Sequence, residues 1–519
     1  MKAYPFVLAF ALSWAGASGA QVAAQADRHP AGSPGHDHHH MGMIHSDRLG
    51  TIAFPNSGAR LAQADFLEGV KLLHNFGYEE AIEAFRRAEK ADPGFALAYW
   101  GEAMAHNYTL WSEQHVDAAR AALARLAPTP AERGAKAKTH RERLYLGAVE
   151  ALYGTGSKAE RDAAYAAKMD QLAKTYPNDV EAQVLDALAI MGLTNGIRNV
   201  RNYMRAAAKL EKLFPAHRSH PGVVHYLIHA YDDPAHAKLG LRMARLYDKL
   251  APDSPHAQHM TSHIFLALGM WPEVERANIN ARRALEKRMG PDHGFACGHG
   301  GIWLVYARLE QGLSADAQIA ECRGAAEAGL KDPSKLTPVG FSEGAIASHA
   351  DMVVRRWVEA GAPIEAIALP SGKMNFARFT YAYGQVLAAR HDPDASRAAL
   401  EEMTAAFNVL RSDYRKEFPD DDQTMPWLEL AYEQAKAVAA LAEGGTKPDL
   451  ARLRALAERE AALPAVFGPP PLQKPGWELL GDELFAAGDR AGAAAAYRQS
   501  LKLQPGRRLS LAGLKKATS

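Results

Sequence analysis

The chain has 519 residues, enough for one long repeat array or several globular domains. Its 60 Lys and Arg balance 59 Asp and Glu, so no net field draws in nucleic acid or an anionic membrane surface. Hydrophobic residues make up 48%, and glycines and prolines are spaced like helix punctuation, which excludes general disorder.

Residues 1–26 read as an export signal. Lys2 gives the positive start, Phe6 to Ala17 an apolar stretch, and Ala24-Gln25-Ala26 a small-x-small cleavage site, with Ser18-Gly19-Ala20 as a second option. No cysteine lies near either site to carry a lipid. No later segment has the roughly 18 consecutive apolar residues of a membrane span. The expectation is an exported protein, periplasmic or secreted, soluble and without a membrane span. Residues 27–60 are rich in His, Gly, Pro and Ser and are expected to form a flexible tail. Within it His36, His38, His39, His40, Met41, Met43 and His45 can capture metal without any fold, the thioethers favouring reduced copper. The bland alternative is a merely compositional tract.

From Leu61 to residue 463 the chain reads as helical hairpins. In 69–93, Gly77-Tyr78 ends a first helix, Ala81, Phe85 and Ala88 form the packing stripe of a second, and Pro93 closes the unit. That is the tetratricopeptide pattern of about 34 residues. It recurs at Gly269-Met270-Trp271 with Val274 and Ala281. The cleanest copy is the last hairpin, 475–519, with Gly481, Gly488, Ala493, Tyr497 and Pro505. A Pro-rich joint at 464–474 is expected to offset that hairpin. The predicted fold is all-α, a right-handed superhelical solenoid of roughly ten tetratricopeptide-type hairpins. Only Cys297 and Cys322 are present, and the sequence leaves open whether they pair or Cys297 stays free.

The chemistry concentrates in two segments. His225 and His229 sit four apart, and His259 and His263 sit four apart 34 residues later. A spacing of four puts each pair on one helix face. The 34-residue offset puts the pairs on neighbouring first helices, which Pro221 and Pro255 begin and which line the concave surface. Neutral imidazoles in that number suit zinc or copper. Asp232 is expected on the same face as an oxygen ligand, a hydrogen-bond acceptor for a ligand histidine, or a catalytic base. Asp233 reads as the cap of the following helix. His220, His256, Cys297 and His299 are possible additional ligands. The competing readings are hydrogen-bonding contacts for a peptide in the groove and a buried polar network. Tyr99, Trp100, His106 and Trp111 form an aromatic run that suits either core packing or a ligand wall, and Tyr226 shares the groove helix.

Together HPGVVHYLIHAYDDP, HAQHMTSHIFLALGMW and AYWGEAMAHNYTLW resemble a family of exported bacterial tetratricopeptide proteins with HYxIHxYDxP and HMxSHIF segments. The likeness covers roughly 60–310 and 475–510. It implies a superhelix with a histidine-rich concave groove and names no substrate. Three functions remain open at this point. The first is a binding protein holding a divalent transition metal, zinc or copper, and a protein, peptide or small-molecule partner. The second is a metalloenzyme using the same histidines for hydrolysis or redox chemistry. The third is a metal-free peptide adaptor.

Overall fold

The structure is a computed structural model describing residues 48–519 apart from 112, 194–197, 291–293, 332–343, 418–423, 445–446 and 465. The export signal and the metal-capture tract from His36 to His45 lie outside the described residues.

Helices account for nearly all of the described chain. The first are α1 (Gln63–His74), α2 (Tyr78–Ala91), α3 (Ala96–Ala105), α4 (Val116–Leu126), α5 (Pro130–Lys136), α6 (His140–Leu152), α7 (Lys158–Thr175) and α8 (Val180–Gly192). The middle holds α9 (Val200–Leu213), α10 (Pro221–Ala230), α11 (Ala237–Leu250), α12 (Pro255–Ala267), α13 (Trp271–Met289), α14 (His299–Glu310) and α15 (Asp316–Leu330). The last are α16 (Gly344–Ala360), α17 (Asn375–Ala388), α18 (Pro393–Glu417), α19 (Thr424–Ala442), α20 (Lys447–Ala462), α21 (Gly476–Ala486), α22 (Arg490–Leu503) and α23 (Arg508–Thr518). Among the described residues the only β-structure is a two-residue antiparallel ribbon, Asn107–Tyr108 with Glu113–Gln114.

Local chemistry sets the boundaries. Thr139 and Ser157 begin α6 and α7 with reciprocal capping boxes to Glu142 and Glu160. Pro221 and Pro255 occupy the first positions of α10 and α12, capped by the side chains of His220 and Ser254. The repeat geometry is visible in two glycine pairs. A Cβ on Gly69 would lie 2.8 Å from the Phe85 ring and one on Gly101 2.3 Å, so the phenyl is seated between the bare backbones of α1 and α3. Tyr497 sits in the same way between Gly481 and Gly513 at the far end of the chain, with gaps of 2.6 and 2.3 Å. An aromatic of the second helix thus fills the space between successive first helices, which is the tetratricopeptide packing rule.

The superhelix curls until distant repeats touch. The end of α1 meets α8, α10 and α11. His74 bonds Tyr226 and Glu181, and the Tyr247 hydroxyl donates to Asn75 at 2.8 Å. At the other end the turn after α22 docks on the α12–α13 turn, where Trp271 donates to the Gly506 carbonyl at 2.9 Å. Arg507, fully buried there, is held by Glu310, Glu359 and Glu478. Burying a cation costs several kcal/mol unless carboxylates surround it, and here three do.

Two boundaries differ from the sequence expectation. The tail expected over 27–60 does not extend to Arg60, because Leu49 and Phe54 are buried in the main core and Thr51 bonds the Ser219 carbonyl at 2.8 Å. The stretch 466–474, within the expected joint, is a strap packed on the helices. Gly468 lies against Trp303, and the Pro470 carbonyl accepts from Arg355 at 2.7 Å. The cysteines are paired: Cys297–Cys322 ties the turn before α14 to α15.

The close approach at Phe85 gives a stability test. Gly101→Ala places a methyl against a ring with no room to move and is expected to destabilise by about 1–3 kcal/mol. Gly147→Ala, on α6 with nothing within 4 Å, is expected to be neutral or to stabilise by up to about 1 kcal/mol. Urea unfolding of the two variants should move in opposite directions.

Candidate metal centres

The side-by-side first helices α10, α12 and α14 bring six histidines into two triads. His225 and His229 of α10 are joined by His256 from the first turn of α12, and His259 and His263 of α12 by His299, the first residue of α14. In each triad the ligand nitrogens lie within 4.8 Å of one another. The ring-centre distances repeat from triad to triad. Those between 225 and 229, 225 and 256, and 229 and 256 are 4.7, 5.0 and 6.3 Å. Those between 259 and 263, 259 and 299, and 263 and 299 are 5.0, 4.6 and 6.2 Å. The four histidines singled out in the sequence thus fall into two adjoining groups of three, each completed by a histidine from the next first helix. The His229 and His263 rings, one from each group, lie 6.3 Å apart.

Proton placement decides what the triads can do. His259 Nδ1 lies 2.7 Å from the Asn278 side-chain oxygen, whose amide nitrogen donates to the Val274 carbonyl. That orientation makes the oxygen the acceptor, so His259 carries its proton on Nδ1. His263 Nδ1 lies 2.6 Å from the Asp232 carboxylate and donates to it. With both rings neutral, both Nε2 atoms are bare, and they face each other at 3.1 Å. Two facing lone pairs repel unless a cation sits between them. Zn–N bonds of 2.0–2.1 Å at the tetrahedral angle imply a nitrogen–nitrogen edge of about 3.3 Å. The pair is spaced for one ion.

The first triad is built alike. His225 Nδ1 donates to the His74 carbonyl at 2.7 Å, leaving its Nε2 bare and 3.1 Å from His256 Nε2. His229 Nε2 is buried and has no hydrogen-bond partner. Burial favours the neutral ring at four of them: His225 is pushed down to about 3, and His229, His256 and His259 well below the usual imidazole range. Neutral imidazole is the form that binds metal. His256 and His299 are partly exposed while the HxxxH pairs are buried, so each site opens on its third ligand.

In each triad one aromatic ring lies against all three imidazoles. Phe76 lies 4.4, 5.6 and 5.4 Å from the rings of His225, His229 and His256. Trp303 lies 4.9, 4.5 and 5.3 Å from those of His259, His263 and His299. Phe76 follows the end of α1 with φ at 55°, a left-handed conformation that costs a non-glycine residue about 1–2 kcal/mol. Strain of that kind concentrates at functional sites.

The remaining expected residues fall as follows. Asp232 is a hydrogen-bond acceptor for His263, and its bonded Oδ2 is engaged there. Asp233 caps the next turn through Ala235 and His236, and also pairs with Arg198. Cys297 is no ligand, because its sulfur is bonded to Cys322. His220 belongs to a third group with His74 and Glu181, where every nitrogen is accounted for. His220 Nδ1 accepts from Val223 N–H, so its Nε2 donates to Glu181. His74 Nε2 donates to the other carboxylate oxygen, and its Nδ1 accepts from Tyr226. Burial alone would raise the Glu181 carboxyl, but His220 and His74 hold it below its usual range. This group is a satisfied structural network, and Tyr226 serves it rather than a ligand. Trp100 packs on Phe54 and Tyr145, and Tyr99 bonds the Pro93 carbonyl, so both are core residues. Trp111 reaches the first triad, 5.9 Å from the His256 ring. His106 has His115 as its ring neighbour, and burial pushes it down to about 4. Phe76, Trp303 and Asn278 were not legible as site residues. His256 and His299 were legible as possible ligands, though not which pair each completes.

No protein-family model matches this chain, and no curated protein does. Solved helical assemblies are similar only loosely. The APC/C hetero-tetramer Cut9–Hcn1 matches at 11% identity and TM-score 0.34, over 90% of this chain and 79% of that one. The Naa15/Naa10 complex bound to HypK-THB matches at 14% and 0.25, over 88% of this chain and 60% of that one. An IFIT1 monomeric mutant with m7Gppp-AAAA matches at 11% and 0.34, over 88% and 90%. Likeness at this level carries no functional argument.

The depressed imidazoles predict acid lability. A neutral buried His225 contributes stability that is complete above the unfolded pKa of about 6.5 and is lost as pH falls toward its folded value of about 3. At pH 4.5 the metal-free protein should have lost on the order of 3 kcal/mol from this residue alone. Denaturant midpoints at pH 7 and 4.5 test this. His225→Phe should flatten the slope.

Proposed function

We propose that this chain is an exported metal-binding helical-repeat protein. His225, His229 and His256 would hold one transition-metal ion, and His259, His263 and His299 another. The observation that carries the reading is the pair of bare Nε2 atoms of His259 and His263, 3.1 Å apart with both Nδ1 protons committed elsewhere. Hydrogen bonds from Nδ1 to a carboxylate, an amide oxygen or a backbone carbonyl are the usual backing of metal-ligating histidine, fixing the tautomer and raising the basicity of the other nitrogen. Zinc and copper are the ions such sites suit. The metal-capture tract from His36 to His45 would feed the same ions to the groove.

Three protein ligands leave a fourth position open, as in catalytic rather than structural zinc sites. That position sits beside the partly exposed third histidine, where a small molecule or a side chain of a protein partner can reach it. An enzymatic role is the second reading, and it rests on this open position.

The test is elemental analysis of the full chain with His36, His38, His39, His40 and His45 replaced by alanine, expressed with zinc and copper supplied. About two ions per chain are expected. His225→Ala and His259→Ala should each lose one while helicity stays unchanged. Metal-free protein under those conditions would leave the groove as a peptide or small-ligand surface.

A further inference from the structure

The two triads repeat in ring geometry but not in the charge of their surroundings. Behind the second stands the Asp232 carboxylate, 2.6 Å from His263 Nδ1, with the Asn278 oxygen behind His259. Behind the first the fixed acceptor is a backbone carbonyl, His74 O on His225. Arg198 lies beside that triad, its guanidinium donating to the His229 carbonyl at 2.9 Å and paired with Asp233. Aromatic faces also line the first triad. Tyr247 stacks on His225 at 5.2 Å, and Phe76 covers all three imidazoles. The Tyr247 and Tyr226 hydroxyls are committed to Asn75 and His74, so these phenols bring no anionic oxygen to the site.

Resting on the metal-binding reading above, we infer that the triads sort ions by charge. The first, His225, His229 and His256, takes monovalent copper. The second, His259, His263 and His299, takes a divalent ion. The cost of desolvating an ion grows with the square of its charge, so a dication in an apolar pocket needs a nearby anion far more than a monocation does. Asp232 supplies that anion through His263. The first triad offers three neutral nitrogens and no carboxylate on His225. Three neutral nitrogens suffice for a singly charged, filled-shell ion with no demand for a fourth ligand.

The experiment uses the full chain with the five tail histidines replaced. It is titrated separately with Zn(II) and, without oxygen, with Cu(I), each against a competing chromophoric chelator. His225→Gln, His263→Gln and the isosteric Asp232→Asn are compared, with circular dichroism as the folding control. One tight Zn(II) per chain is expected, lost in His263→Gln and kept in His225→Gln. The tightest Cu(I) should behave in the opposite way. Asp232→Asn should weaken Zn(II) about 10–100-fold and leave the tightest Cu(I) unchanged. Two Zn(II) of equal affinity, loss of Zn(II) in His225→Gln, or an Asp232→Asn effect on both ions alike would overturn the sorting while leaving metal binding intact. No binding of either ion would overturn both.

Discussion

An imidazole has two nitrogens and, when neutral, one proton, and the groove is organised around where that proton goes. At His225, His259 and His263 the fold provides an acceptor for Nδ1: a carbonyl at the end of α1, an amide on α13, and a carboxylate after α10. Each acceptor fixes its ring's tautomer and turns Nε2 inward as a bare donor. Removing the acceptors would free the rings to bond one another in ordinary chains. With them in place and the rings neutral, the inward nitrogens have no proton to share, and at His225 and His259 burial disfavours a new one. A metal ion relieves both problems at once.

The acceptors come from different turns of the superhelix, which links the site to the fold. The carbonyl of His74 reaches His225 only because the array curls α1 onto α10, 151 residues on. The same contact seats Phe76 over the first triad. Trp303 reaches the second because α14 follows α12 in the row of first helices. The disulfide Cys297–Cys322 fixes the turn that introduces α14, and with it the position of His299. A repeat protein is often pictured as an open surface onto which ligands settle. Here the last hairpin docks back through Arg507 and the 466–474 strap lies against Trp303, so the face that carries the second triad is covered in part by the chain itself.

The fold was legible because tetratricopeptide packing leaves marks at fixed spacing. Glycines flank an aromatic, a small residue permits close helix approach, and a proline ends the unit, as around Phe85 and Tyr497. The HxxxH pairs were legible for the same reason, since a 3.6-residue period and a 34-residue repeat are both sequence-local. What could not be read was anything set by the curl. The pairs seemed to form one site because the sequence gives the repeat offset, and it offers His256 and His299 as further ligands without telling which pair each one joins. Phe76 was invisible because its role depends on a left-handed backbone and a contact across some 150 residues. The strap looked like a joint because prolines mark a break in helix equally well whether the chain then leaves the surface or crosses it.

The group of His74, Glu181 and His220 shows why residue type alone does not identify a metal site. It has ligand-forming side chains and short distances, as the triads do, and is buried even more completely. Its proton count closes: two N–H groups donate to one carboxylate, and both remaining nitrogens accept, one from a backbone amide and one from a phenol. An ion entering there would have to break bonds already made. In the triads the count does not close, because His259 and His263 leave two facing lone pairs and His229 leaves a buried nitrogen with no partner. Buried polar atoms are almost always satisfied, so the exceptions carry the information. By that measure the first turns of this groove hold the fold together, and the next two are built to be completed by something else.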